Sequence, residues 1–189
     1  MRIVGGTLRG RIRVAPKGQS TRPTADRTRQ ALFNVLEHAA WSPGLAGLRI
    51  ADLYAGTGAL GLEALSRGAA SCVFVEHAPA ARDDLIRNIR DLKCEDRAQV
   101  WITSAETLPS RPVGDQEPFD LVFLDPPYGR GLAERSLMSL SRGNWLSEGS
   151  LVVVERGAAE GVFGPAGYDA VDERVWGAAR LTILTPCGP

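Results

Sequence analysis

Asp125, Pro126, Pro127 and Tyr128 form the densest chemistry in the chain. They follow residues 119–124, a short and almost wholly apolar run of the kind that makes a strand buried on both faces. The two prolines fix φ and donate no ladder hydrogen bond, so the chain must leave the sheet there in a stiff turn. That turn holds a carboxylate, the Pro126 carbonyl and an aromatic ring close together. Such a cluster suits a planar group bearing an amine: the oxygens accept its N–H bonds while the ring stacks on its face. A nucleobase amine is the obvious candidate.

A second chemical segment starts at Asp52. Residues 48–54 read as a buried strand, and Gly56-Thr57-Gly58-Ala59-Leu60-Gly61 opens a helix running to about residue 67. By itself this is a G-x-G-x-x-G match, and Glu76 stands about where the ribose-binding acid of a dinucleotide-binding fold belongs, roughly 20 residues on. Two features point elsewhere. Asp52 places negative charge beside the glycines, which repels a pyrophosphate and suits a cation such as a sulfonium with an amino-acid tail. A dehydrogenase also has no use for the proline turn.

The stretch from Asp52 to Gly68 (DLYAGTGALGLEALSRG), with Asp125-Pro-Pro-Tyr128, resembles the S-adenosylmethionine-dependent amino-methyltransferases. The N-terminal Arg2-Ile-Val-Gly-Gly-Thr-Leu-Arg-Gly-Arg11, Arg22-Pro-Thr-Ala-Asp-Arg-Thr-Arg29 and Ala31-Leu-Phe-Asn34 narrow the resemblance to the RsmD family, over residues 2 to about 183. That resemblance implies methylation of the exocyclic N2 of a guanine in 16S ribosomal RNA, of the guanine 966 type, on an assembled or assembling 30S subunit. It further implies S-adenosyl-L-methionine as cofactor, a monomer, and a cytoplasmic location away from membranes.

Site roles follow from the same resemblance. Asp52, Tyr54, Gly56, Thr57 and Gly58 would surround the cofactor, with loop amides near its carboxylate, and Glu76 would accept hydrogen bonds from the ribose hydroxyls. The family often has a further acid one residue beyond; here His77-Ala78 follows. Ser104 and Ala105, at the third strand end, stand where the family uses Asp or Asn to read the adenine amine. Asp125 and the Pro126 carbonyl would accept the two N–H bonds of the guanine amine, and Tyr128 would stack on the base after it leaves its own stack.

The elements that must position these residues alternate. Strands are expected at 48–54, 72–76, 98–103, 119–124, 150–155, 172–176 and 180–184, with helices at 60–67, 79–92 and 131–141 between them. Helix-length crossovers imply a parallel sheet covered on both faces. The last two strands lack a helix between them and should form an antiparallel hairpin at the sheet edge. The fold class is therefore α/β, matching the Rossmann-like, seven-stranded, mostly parallel methyltransferase sheet with one antiparallel edge strand. Residues 1–40 form a small extension, a hairpin over 2–4 and 11–14 and a helix from Thr24 to about His38, and residues 41–189 form the methyltransferase domain.

Charge distinguishes that extension. The formal net charge is zero, yet residues 1–30 carry Arg2, Arg9, Arg11, Arg13, Lys17, Arg22, Arg27 and Arg29 against Asp26 alone. The remaining 14 basic residues face 21 acidic ones. A basic arm on an acidic body is what capture of a polyanion requires, and arginine favours phosphate forks and base stacking. Arg2, Arg9, Arg11, Arg13, Arg22, Arg27 and Arg29 are thus the candidate RNA contacts. Cys72, Cys94, Cys187, His38 and His77 lack metal-site or disulfide spacing, and Trp41, Trp101, Trp145 and Trp176 read as packing residues. With no apolar run long enough to span a bilayer, a single domain of 189 residues is expected.

Three rivals stand beside this reading. An adenine-N6 DNA or RNA methyltransferase would use the same turn, but the chain lacks a target-recognition domain. A nicotinamide-dependent oxidoreductase would bind NAD in place of S-adenosylhomocysteine. A non-catalytic RNA-binding or assembly protein would have no need for Asp125.

Overall fold

The computed structural model describes residues 2–12, 23–112, 114 and 117–188. The strands are β1 (Arg49–Leu53), β2 (Ser71–Val75), β3 (Ala98–Trp101), β4 (Phe119–Leu124), β5 (Leu146–Gly157), β6 (Tyr168–Trp176) and β7 (Ala179–Pro186). The helices are α1 (Pro23–His38), α2 (Ala59–Ser66), α3 (Pro79–Asp91) and α4 (Leu132–Arg142), with a short 3-10 helix at Ala105–Thr107. They build one seven-stranded sheet in the order β3-β2-β1-β4-β5-β7-β6.

Strands β1 to β5 pair in parallel, while β7 runs antiparallel to both β5 and β6. The expected hairpin is present at the edge, but the reversed strand is its inner member. β7 inserts between β5 and β6, which leaves β6 outermost. Direct pairing of β7 with β5 buries its Leu181, Ile183 and Leu184, whereas β6, paired on one side alone, is exposed or half-buried along its length except at Tyr168. β3 ends two residues earlier than expected, β6 begins four earlier, and β5 starts at Leu146.

Side-chain parity along the strands separates two cores. Ile50, Phe74, Phe123 and Val153 pack under α1, α2 and α3, joined by Leu32, Phe33, Leu36, Leu62, Leu65, Leu85 and Ile89. Ala51, Leu53, Val122, Leu124 and Val152 face α4 through Ala133, Leu137 and Leu140. Trp145 closes this second core, stacked on Phe119 at 5.5 Å and edge-on to Trp101 at 5.0 Å, and its indole N–H donates to the Pro109 carbonyl at 2.7 Å. These tryptophans are packing residues, as their sequence setting suggests.

The expected second arm of the N-terminal hairpin, 11–14, lies partly outside the described residues; among these, Arg2 and Ile12 form a single antiparallel bridge, and residues 5–10 turn across the C-terminal end of α2. Ile3 is fully buried in the first core beside Phe33 and Leu36. Glu63, itself with no solvent exposure, receives the Val4 amide at 2.9 Å, the Gly5 amide at 2.7 Å and Arg67 Nε at 2.9 Å. Ser66 Oγ donates to the Gly5 carbonyl at 2.6 Å and accepts the Leu8 amide at 2.9 Å. Gly6 has φ of +71°, and a Cβ there would lie 1.9 Å from the Ser66 carbonyl oxygen. The paired glycines are what allow the arm to lie flush on the helix end.

Candidate active site

The sheet order reverses between β1 and β4, and in open α/β sheets the crevice at the carboxyl ends beside such a point is where ligands bind. A cleft of about 460 Å³ opens there, lined by Tyr54, Glu76, His77, Ala78, Asp125, Pro126, Pro127 and Tyr128. Its size falls within the range of small-molecule sites. The two sequence segments singled out for chemistry therefore meet, although 71 positions separate Tyr54 from Asp125.

Register explains the meeting. Leu53 pairs with Leu124, and Leu124 pairs with Val154. The next rung places Asp125 between Tyr54 and Glu155. Asp52, Glu76, Asp125 and Glu155 all continue the parity of the first core, two residues beyond Ile50, Phe74, Phe123 and Val153 respectively. The carboxyl edge of the sheet thus gathers an acidic rim on one face.

Protein donors occupy most of that rim. Asp52 is buried and accepts the Gly61 amide at 2.8 Å. Because Gly58, the residue capping α2, offers no side chain, Asp52 satisfies an otherwise unpaired amide in the first helical turn. Glu76 accepts the Gly56 amide at 2.9 Å and the Ala78 amide at 2.7 Å, which ties the glycine turn to the end of β2. Glu155 accepts the Tyr128 hydroxyl at 2.8 Å. The Asp125 carboxylate takes no hydrogen bond among the described residues, so its acceptor capacity faces the cleft.

Desolvation by the surrounding protein, then the charges of Glu155 and Asp52, push the Asp125 carboxyl up to about 8. Asp125 is nevertheless exposed at the open mouth of the cleft, where solvent screens part of that penalty. Tyr128 is 48% exposed, and its phenol is raised by partial burial and by its bond to the Glu155 carboxylate. An exposed aromatic face beside an acceptor is what the proline turn was expected to present.

Other expected residues have different surroundings. Tyr54 lines the cleft with positive φ of 61°, and its hydroxyl lies 2.9 Å from Ser136 Oγ on α4. Asp52 and Thr57 are buried behind the glycine turn and do not line the cleft; the Thr57 carbonyl accepts Asn88 Nδ2 at 2.9 Å. Gly56, with φ of +55°, has room where a Cβ would stand, 4.0 Å from the Tyr54 carbonyl oxygen, but it too is not among the residues lining the cleft. Gly58 has a packing reason of its own: its φ is +81°, and a Cβ would strike Leu85 Cδ1 at 2.6 Å. A side chain at this position would therefore enter the core. Ser104 caps the 3-10 helix, accepting the Glu106 amide at 3.4 Å, and Ala105 is buried in the second core, so neither lines the cleft.

Among the arginines, Arg2, Arg9, Arg11 and Arg27 are exposed. Arg13 and Arg22, like Lys17, lie outside the described residues. Arg29 is not a surface cation. It is 5% exposed, donates to the Arg2 carbonyl at 2.8 Å and to Asp26 at 2.6 Å, and stands 3.6 Å from Glu63. Its charge is consumed in fixing the arm to α1 and α2. Glu155 and Glu63 escaped the sequence reading; the strand parity of Val153 to Glu155 was the available signal for the first, and a lone acid within an apolar helix for the second.

An acid-rimmed cleft at the switch point suits a small cation whose hydroxyls and amines find acceptors, and neither lysine nor arginine is among the described residues that line it. This combination of sheet order, glycine turn and acidic rim is the Rossmann-like methyltransferase fold. Residues 1–185 match the family described as Conserved hypothetical protein 95, and the chain belongs to that family, as the RsmD resemblance predicts. The chain is 36% identical over 184 residues to the Ribosomal RNA small subunit methyltransferase D of Escherichia coli, covering 97% of this chain and 88% of that protein. Its counterpart of the same name in Haemophilus influenzae is 34% identical over 184 residues, covering 97% and 92%. The solved structure of "Putative methyltransferase yhhF" from Escherichia coli superposes with a TM-score of 0.82 at 35% identity, covering 98% of this chain and 97% of that one.

Proposed function

We propose that this chain is a ribosomal RNA methyltransferase that transfers a methyl group from S-adenosyl-L-methionine to the exocyclic N2 of a guanine in small-subunit ribosomal RNA. The observation that carries the reading is Asp125: a carboxylate with open acceptor capacity, held by two prolines beside the exposed ring of Tyr128. The names of the relatives supply the ribosomal RNA, and the acidic rim accounts for a cationic cofactor.

Bound S-adenosyl-L-methionine supplies an electrophilic methyl whose bonding pair returns to sulfur as the amine nitrogen takes the methyl. Glu76 accepts hydroxyl hydrogens of the ribose, a role supported by the lone pairs left beyond those used by the Gly56 and Ala78 amides. Guanine N2 is a weak nucleophile because its lone pair is delocalised into the ring. The Asp125 carboxylate and the Pro126 carbonyl accept its two N–H bonds and favour a pyramidal nitrogen, and the proton released passes to Asp125 or to solvent. Tyr128 stacks on the base. Positioning supplies most of the acceleration.

The N-terminal extension, residues 1–40, serves as the RNA-binding part, with Arg2, Arg9, Arg11 and Arg27 toward phosphate. An assembled or assembling 30S particle is the substrate this built arm favours, with the chain acting as a monomer. Incubation with isotope-labelled S-adenosylmethionine and small-subunit RNA, free or as 30S particles, tests the reading. Mass-spectrometric mapping should find label as N2-methylguanine; label on adenine N6 would overturn it.

A further inference from the structure

Glu155 is an acid the methyl-transfer chemistry above does not use, yet it is built into the same corner. It stands on the same rung as Asp125, on the neighbouring strand and the same sheet face. Adjacent strands are roughly 4.8 Å apart, so the two carboxyl groups stand side by side. Glu155 Oε1 accepts the Tyr128 hydroxyl at 2.8 Å, and Oε2 takes no hydrogen bond among the described residues. The Tyr128 ring, Pro126 and Glu155 also share the wall of a small cavity next to the main cleft. A base stacked on Tyr128 with its amine at Asp125 therefore turns the adjoining ring position toward Glu155.

The chemistry of that adjoining position separates the purines. In guanine the N2 amine sits beside N1–H, so the edge presents donor next to donor. In adenine the N6 amine sits beside a bare N1 lone pair, so the edge presents donor next to acceptor. Two neighbouring carboxylates complement the first pattern. They oppose the second, because a carboxylate facing a lone pair is repulsive and leaves a desolvated acceptor unpaired.

Resting on the guanine-N2 reading, we propose that Glu155 is a specificity-determining residue: its carboxylate accepts guanine N1–H while Asp125 accepts the amine. The Tyr128 hydroxyl holds Glu155 in place, so one aromatic residue both stacks on the base and orients the group that reads its edge. A site built to bond a substrate hydrogen rejects the analogue lacking it far more strongly than an apolar pocket rejects a misfit.

The test uses the full chain and a ribosomal RNA fragment in which the target guanosine is replaced by 2-aminopurine ribonucleoside. That base keeps the N2 amine but has a lone pair at N1. Wild-type protein should methylate it with kcat/KM reduced roughly 100-fold relative to guanine, within the range for a hydrogen bond to a charged group. In Glu155→Gln the amide can donate to that lone pair, so the preference should shrink to about 10-fold or less. The ratio of the two bases is the readout, since a purely structural role of Glu155 would lower both rates together. Equal use of the two bases by the wild-type protein overturns the proposal without any variant, as does an unchanged ratio in a folded Glu155→Gln. Absence of N2-methylguanine from natural RNA would instead show that the guanine reading itself is wrong, and this proposal with it.

Discussion

Replacing Glu63 by Gln tests whether the N-terminal arm is held by a buried charge. One carboxylate oxygen serves the Gly5 amide and Arg67 Nε, and the other serves the Val4 amide and stands 3.6 Å from Arg29 Nε. Whichever oxygen becomes NH2 loses its donors and faces N–H groups with N–H groups. Arg29 and Arg67 are 5% and 4% exposed at their side chains, so neither can turn to water without unpacking α1. Arg67 still has Glu37 at 2.7 Å and Arg29 still has Asp26 at 2.6 Å, which limits the damage. Removing one member of a buried charge cluster costs about 3–5 kcal/mol. For a chain of this size, that corresponds to a fall in Tm of roughly 6–20 °C. Urea unfolding gives the energy, and hydrogen exchange at the Val4 and Gly5 amides reports whether the arm has lifted. A loss below about 1 kcal/mol with both amides still protected would refute the clamp.

Three further outcomes follow from the site and its surroundings. Because the folded Asp125 pKa is raised to about 8 from 3.8, the native state holds a proton that the unfolded chain has released, so stability falls as pH rises through that window. The amine-accepting role proposed for Asp125 needs the carboxylate, so kcat/KM should rise with pH toward a plateau. Glu155→Gln removes one of the two charges that raise Asp125 and should move the midpoint down; an unmoved midpoint would contradict the coupling. Gly58→Ala combines φ of +81° with a Cβ 2.6 Å from Leu85, and should cost about 2–4 kcal/mol in urea unfolding. Intact stability with lost cofactor binding would mean that Gly58 faces the ligand after all. Changing Arg2, Arg9, Arg11 and Arg27 together to Ala should lower the slope of log RNA affinity against log salt by about 3, at roughly 0.7–0.9 per phosphate contact. An unaltered slope would place RNA recognition elsewhere.

Strand and helix alternation made the sheet legible, because each β–α unit carries a period change and a turn signal of its own. The place of β7 between β5 and β6 was not, since local pattern marks a hairpin but not which arm pairs with the sheet. Asp125, Tyr128 and Glu76 were legible because acids and rings at the carboxyl ends of buried strands stand out from apolar runs. The inward turn of Asp52 was hidden: only the three-dimensional approach of α2 shows that its carboxylate serves the Gly61 amide. Arg29 misled for the same reason. Charge counting treats every arginine of the arm alike, and burial beside Asp26 and Glu63 separates this one from its neighbours.

Methyl transfer by Asp125→Ala tests the central claim most directly, measured beside wild type with labelled S-adenosylmethionine and small-subunit RNA. In the proposed arrangement Asp125 meets the amine and the cofactor rests toward β1 and β2, so the variant should bind S-adenosylhomocysteine within a few-fold of wild type by calorimetry. Its turnover should fall by roughly 100-fold or more, the scale for losing a positioned proton acceptor. Methyl transfer close to the wild-type rate, with the product still N2-methylguanine, would contradict the account.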